Sequence, residues 1–382
     1  MKKTKPINDM PRMRVPPSGK PDTSCQETTI WCLTGRDSRA ERDNILAPCG
    51  PAQTQECTRA CLPFHLACRI IAAEFRSMAK ILGGIGTSHV PTIGGAYDRN
   101  KQNDPDWAPL FRGYEPVKAW LAARKPDVLV FFYNDHATTF FFDHYPTFAL
   151  GVSAEYPIAD EGLGPRAVPP LKGHAGLARH MADALVNDEF DISVFQDLPI
   201  DHGVHSPLTL FWPPSPDWPG KIVPIEINVL QHPIPTPARC WKLGQAVRRA
   251  VLSYPEDLKV VIVGTGGLSH QMNGERAGFN NEKWDMKFLD LIARDPKKLT
   301  AMRHADYIRL GGTEGAEEIM WLAMRGALSP GAKKIHQNYY LPMTTAMAVA
   351  LFEEREAKPA AKKPRASRKP ARNAAPRARA SA

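Results

Sequence analysis

Val260-Val261-Ile262-Val263 runs without a break into Gly264-Thr265-Gly266-Gly267-Leu268-Ser269-His270. Four β-branched residues in a row present no polar face, so the segment predicts a strand covered on both sides, as in a parallel sheet. The glycine-rich run after it ends the strand and delivers a histidine. Two other segments share this plan. Lys80–Ile85 leads into Gly86-Thr87-Ser88-His89, and Val128–Tyr133 leads into Asn134-Asp135-His136. Ligands in open α/β sheets bind at the carboxyl ends of the strands. Three histidines sent to that edge are therefore expected to converge, although they are far apart in the chain.

Between these strands the apolar spacing turns helical. Glu115–Arg124, His174–Asp188, Ala238–Ser253, Glu282–Arg294 and Thr313–Ala327 each read as an amphipathic helix. Thr147–Val152 and Lys221–Val229 add strands, and the proline-rich stretches 165–170 and 213–219 read as surface loops. The alternation predicts an α/β domain, with a central, mostly buried sheet flanked by helices. His174 and His180 fall on a helix outside the histidine loops and read as exposed.

The formal charge of +9 resides in one place. Lys358, Lys362, Lys363, Arg365, Arg368, Lys369, Arg372, Arg377 and Arg379 supply all of it, so the remainder of the chain is neutral and does not read as a nucleic-acid binder. The stretch 355–382, rich in Ala, Pro, Lys and Arg, reads as a disordered, solvated tail. Residues 1–77 read as an N-terminal extension that is disordered or not native to the protein. Met78-Ala79-Lys80-Ile81-Leu82 resembles a natural start, which bounds the catalytic domain at 78–354. Six of the seven cysteines precede residue 78, so the body carries no disulfide framework. Cys57, Cys61, His65 and Cys68 do not follow a familiar C-x2-C zinc spacing. With no apolar leader and no run long enough to span a bilayer, the expected compartment is the cytoplasm.

The carboxylate to join the histidines is sought in Thr313-Glu314-Gly315-Ala316-Glu317-Glu318-Ile319-Met320-Trp321. Acids favour a first helical turn on dipole grounds alone. Glu317, however, shares a side with Met320 and Met324, whereas Glu314 and Glu318 lean towards Trp321, Leu322 and Arg325. A carboxylate on an apolar face requires a partner, and a metal ion is one. Two imidazoles and one carboxylate suit a non-haem Fe(II) oxygenase with open coordination positions. They also suit a zinc hydrolase. The residues alone lead to a metal-dependent α/β enzyme.

At these positions the sequence closely resembles the class III extradiol dioxygenases, in particular the catalytic subunits that cleave protocatechuate and gallate. The resemblance spans roughly Met78 to Glu354. It is carried by Gly86-Thr87-Ser88-His89-Val90-Pro91, Tyr133-Asn134-Asp135-His136-Ala137, Ala159-Asp160-Glu161-Gly162, Asp201-His202-Gly203, Gly264–Gln271, Glu314-Gly315-Ala316-Glu317 and Met320–Leu328. It implies that His89, His136 and Glu317 ligate Fe(II), that His270 is the acid/base beside the metal, and that His202 is a further catalytic histidine lining the pocket. Thr344 falls where the protocatechuate enzyme has a serine near the substrate carboxylate; it keeps the hydroxyl and adds a methyl. His205 has no counterpart in that pattern. Asp135 reads equally as a partner for a ligand imidazole or as the cap of the next turn. The implied reaction is extradiol cleavage of a catecholic acid by O2, with protocatechuate 4,5-cleavage to 4-carboxy-2-hydroxymuconate semialdehyde ranked first and gallate or 3-O-methylgallate next. The implied assembly is a homodimer, or an α2β2 complex with a small α subunit as lid.

Overall fold

The structure, a computed structural model, describes residues 78–141, 143–162 and 164–355. The N-terminal extension with Cys57, Cys61, His65 and Cys68, and the basic tail beyond Arg355, lie outside the described residues. The strands are β1 (Lys80–Thr87), β2 (Val128–Tyr133), β3 (Phe148–Gly151), β4 (Glu155–Tyr156), β5 (Leu171–Lys172), β6 (Ser193–Phe195), β7 (Lys221–Ile227), β8 (Lys259–Thr265), β9 (Lys333–Tyr340) and β10 (Met347–Glu353). The helices are α1 (Pro91–Asp98), α2 (Ala108–Arg124), α3 (Ala175–Asn187), α4 (His202–Phe211), α5 (Pro237–Leu252), α6 (Glu282–Arg294), α7 (Pro296–Thr300), α8 (His304–Gly311) and α9 (Glu318–Gly326).

Eight strands form one mixed sheet in the order β6-β3-β7-β2-β8-β1-β10-β9. Its centre, β7-β2-β8-β1, is parallel, and β3 and β10 flank that centre in antiparallel sense. The continuous apolar runs form this centre because both of their faces are covered. Val128, Val130 and Phe132 pack in the layer that contains α3, α5, α6 and α9. Leu129, Phe131 and Tyr133 pack in the layer that contains α1, α2 and α4. Each such side chain contributes about 1.5–3 kcal/mol relative to exposure. At the amino ends, Asp127 Oδ2 accepts from the Lys259 backbone N–H at 2.8 Å and ties the entry of β2 to that of β8.

Three local expectations are corrected. The helix expected from Glu115 begins two turns earlier, at Ala108, and carries Pro116 inside it. His174 and His180 are half-buried rather than exposed. His174 caps α3 by accepting from the Leu177 N–H at 3.1 Å, and His180 Nε2 lies 2.9 Å from Ser253 Oγ. The segment 313–327 divides into a 3-10 turn, Glu314–Glu317, and the α-helix α9. Every residue of α9 is buried, so this helix has no solvent face. It is wedged between the sheet and α5 so closely that a Cβ on Gly244 would lie 2.0 Å from the Ala323 carbonyl oxygen. No described helix is long and apolar enough to cross a membrane.

Candidate active site

Because β2, β8 and β1 are parallel neighbours, His136, His270 and His89 reach the same edge of the sheet. Glu317 joins them from the 3-10 turn. That turn lies directly on the loop after β8, where a Cβ on Gly266 would sit 2.5 Å from the Glu317 carbonyl oxygen. The glycine run thus serves close packing, and leaves space for an acid beside three imidazoles.

The Glu317 carboxylate is the centre of the cluster and is 1% exposed. His89 Nε2 lies 2.9 Å from Oε2, His136 Nε2 3.4 Å from Oε1, and His270 Nε2 3.9 Å from Oε2. The Gly267 N–H donates to Oε2 at 2.8 Å. Burial opposes charge on Glu317, but His89 and His136 outweigh it and hold the carboxyl well below the usual carboxylate range. Burial likewise opposes charge on His136, yet Asp201 and Glu317 raise its pKa well above the ordinary imidazole value. Charge on the carboxylate and charge on the imidazole thus support one another across the cluster. A bound cation would satisfy the same carboxylate and imidazole lone pairs, and metal binding competes with protons for them.

The other ring nitrogens are anchored. His136 Nδ1 and its backbone N–H both donate to Asp201 Oδ2 at 2.8 Å. His89 Nδ1 lies 3.1 Å from Thr265 Oγ1. His270 Nδ1 donates to the Leu268 carbonyl at 2.8 Å, which leaves Nε2 directed at Glu317. Such outer bonds fix the tautomer and direction of an imidazole that faces a metal. The donor set accordingly fits a divalent cation held by His89, His136 and Glu317. A second set is geometrically available, since one ring nitrogen from each of His89, His136 and His202 lies within 4.8 Å of the others.

His202 opens α4, its ring 3.9 Å from that of His136. Its Nδ1 donates to Glu161 Oε2, and its backbone N–H donates to Glu161 Oε1 at 2.9 Å. Burial and the neighbouring charge of His136 push the His202 imidazole down to about 4. Burial opposes the charge of Glu161, but its bond with His202 and the nearby His205 imidazole hold that carboxyl down to about 2.

His89, His136, His202, His270, Glu317 and Thr344 all line one cavity of about 260 Å³. Met272, Met343 and Met347 supply much of its apolar wall. Thr344 is exposed on the loop between β9 and β10, and its carbonyl accepts from Asn280 Nδ2 at 3.0 Å. Asn280 Nδ2 also donates to the Ser269 carbonyl at 2.7 Å, which joins the Thr344 loop to the loop carrying His270.

Some partners were not foreseen. Asp135 is the cap of its own turn, accepting from the Thr138, Thr139 and Phe140 N–H groups; the acid on the His136 imidazole is Asp201. Glu318, expected on the side of Trp321, Leu322 and Arg325, has a partner from another helix. It is fully buried, its Oε2 accepts from Trp284 Nε1 at 3.0 Å, and burial raises its pKa well above the ordinary value. Asp285 grips Ser269 through both N–H and hydroxyl, at 2.9 and 2.7 Å. Asp201 and Glu161 stand inside motifs quoted from the sequence, but their roles depend on partners distant in the chain.

Residues 83–352 match the family model described as "Catalytic LigB subunit of aromatic ring-opening dioxygenase". Among curated relatives, a gallate dioxygenase of Pseudomonas putida KT2440 is 57% identical over 199 residues, 52% of this chain and 58% of that protein. The chain thus spans somewhat more than half the length of that relative. A Pseudomonas putida 2,3-dihydroxyphenylpropionate/2,3-dihydroxicinnamic acid 1,2-dioxygenase 2 is 28% identical over 304 residues, 67% of this chain and 92% of the relative. A Photorhabdus laumondii protein named for the same two substrates is 29% identical over 263 residues, 57% of this chain and 80% of the relative.

Proposed function

The chain belongs to the family of catalytic subunits of aromatic ring-opening dioxygenases, and on that premise we propose that it is an Fe(II)-dependent extradiol dioxygenase opening the ring of gallate or a closely related catecholic acid. The observation that carries this reading is the convergence of two anchored imidazoles on one buried carboxylate at the head of a small apolar cavity. The sequence alone ranked protocatechuate ahead of gallate; 57% identity over 199 residues to a gallate dioxygenase supports putting gallate first.

In this reading His89, His136 and Glu317 hold the iron. When bound, Fe(II) on such a set supplies open positions where a vicinal diol and O2 meet. His270 takes the phenolic proton on Nε2 and returns it during ring opening, because its Nδ1 is committed to the Leu268 carbonyl. His202, beside His136 in the cavity lining, receives a hydrogen bond from the bound ring. The methionines exclude water, and the Thr344 hydroxyl faces the substrate's carboxylate. At about 260 Å³ the cavity falls below the roughly 300–1,000 Å³ of drug-sized sites and suits a single-ring acid. Met272 and Met343, both more than half exposed at its rim, favour a covering partner, either a second copy of the chain or a small subunit.

The test is anaerobic reconstitution with Fe(II), then O2 uptake with gallate, protocatechuate and 3-O-methylgallate. The expected result is uptake and ring opening, fastest on gallate. Iron-loaded protein that consumes no O2 with any of the three overturns the proposal.

A further inference from the structure

Behind His202 lies a row of polar groups that the reaction outlined above does not use. Arg166 is anchored by two bonds to Asp98, at 2.8 and 2.7 Å, and by one to the Gly94 carbonyl. Its Nη1 lies 3.1 Å from His205 Nδ1. A guanidinium only donates, so His205 Nδ1 is an acceptor and the His205 proton sits on Nε2. That Nε2 points at Glu161 Oε1 from 3.5 Å, an electrostatic contact rather than a well-formed hydrogen bond. His205 is 1% exposed, so no bulk water competes for the nitrogen.

Glu161 carries the sequence of donors and acceptors to the cavity. A carboxylate only accepts, so the His202 nitrogen it contacts must carry the proton. The same carboxylate also holds the His202 backbone N–H, which fixes the ring and the first residue of α4 together. The turn presenting Glu161 is itself closed by Asp160 Oδ1, which accepts from the Gly162 and Gly164 N–H groups at 2.9 Å. Gly162 and Gly164 have φ of 97° and 83°, a backbone that other residues rarely adopt.

We infer that Glu161, backed by His205 and Arg166, is a positioning residue that holds His202 in its Nδ1–H tautomer, so that an unprotonated Nε2 faces the cavity as a hydrogen-bond acceptor for a phenolic hydroxyl. This deepens the ring-opening reading and rests on it for the identity of the hydroxyl, but not for the tautomer. A glutamine at position 161 has an N–H to donate towards Nδ1. It would place the proton on Nε2 and turn the acceptor at the cavity wall into a donor.

Nitrogen-15 NMR of histidine-labelled, metal-free full-length protein tests the tautomer without any turnover, with the His202 signals identified by their loss in His202→Gln. The wild type is expected to show a protonated Nδ1 and a bare Nε2, and Glu161→Gln to reverse that pattern. A wild-type His202 carrying its proton on Nε2, or on both nitrogens, overturns the inference even should Glu161→Gln fail to fold. A folded Glu161→Gln with the wild-type pattern also overturns it. In the iron-loaded enzyme Glu161→Gln is expected to lower kcat/KM about ten- to hundredfold at unchanged iron content. An inactive wild type with the expected tautomer sinks the ring-opening reading and leaves the positioning role standing.

Discussion

Replacing Gly266 with alanine inserts one methyl group where the 3-10 turn carrying Glu317 crosses the loop after β8. The added Cβ would meet the Glu317 carbonyl oxygen at 2.5 Å and the Glu317 carbonyl carbon and Cβ at 2.8 Å. Ordinary contact begins near 3.4 Å, so loop and turn must separate by roughly 0.9 Å, and the obstructing atoms are mostly backbone that no side-chain rotation can clear. Overpacking of this kind costs about 1–3 kcal/mol, which a domain of this size survives. The site is less tolerant, because productive geometry requires ligands within about 0.5 Å. Gly266→Ala is therefore expected to fold, to melt at a lower temperature, and to bind Fe(II) at least about tenfold more weakly with a matching loss of rate. Gly331→Ala is the control: its Cβ would meet only ordinary contacts at 3.4 Å and beyond, with an effect within about 0.5 kcal/mol. Calorimetric melting, an Fe(II) titration and O2 uptake measure the three quantities. If Gly266→Ala bound iron and turned over like the wild type, the claim that this glycine sets the position of Glu317 would be wrong.

Asp201→Asn removes the acceptor-only partner of His136 Nδ1 while conserving shape, and is expected to weaken metal binding about ten- to hundredfold; unchanged affinity in a metal titration would contradict that role. His270→Ala is expected to retain iron and lose about 10²–10⁴ of the rate, and an iron-replete variant with wild-type turnover would remove the acid/base assignment. Glu226 is buried with its Oε2 unpartnered, and burial, then the charges of Asp135 and Asp201, raise its pKa well above the ordinary value. The native state therefore keeps a proton that the unfolded chain releases above the usual carboxyl pKa, so this group's stabilisation is present at low pH and lost as pH rises towards its native value. Glu226→Gln, which cannot ionise, is expected to raise the melting temperature more near pH 8 than near pH 5. Parallel melting curves for variant and wild type across that range would refute the assignment of a buried, protonated acid.

Much of this molecule was legible in the chain because the signals are local. A run such as Val260–Val263 specifies a strand covered on both faces through its own side chains, and β8 spans Lys259–Thr265. Helix periodicity located α6 to the residue and α3 and α5 to within one residue at each end. Histidines at three strand ends followed from the same reading, since parallel neighbours must bring their carboxyl ends together. Tertiary structure alone decided which groups meet across long stretches of chain. Asp201 reaches His136 from 65 residues away and Glu161 reaches His202 from 41, and no spacing rule links such pairs. Helical periodicity placed Glu318 on the side of Trp321, Leu322 and Arg325, but only the enclosure of α9 by the sheet and α5 buries it and raises its pKa well above the ordinary value. Covalent neighbours fix how each segment prefers to bend; which protons and charges it carries is set by whatever folds against it.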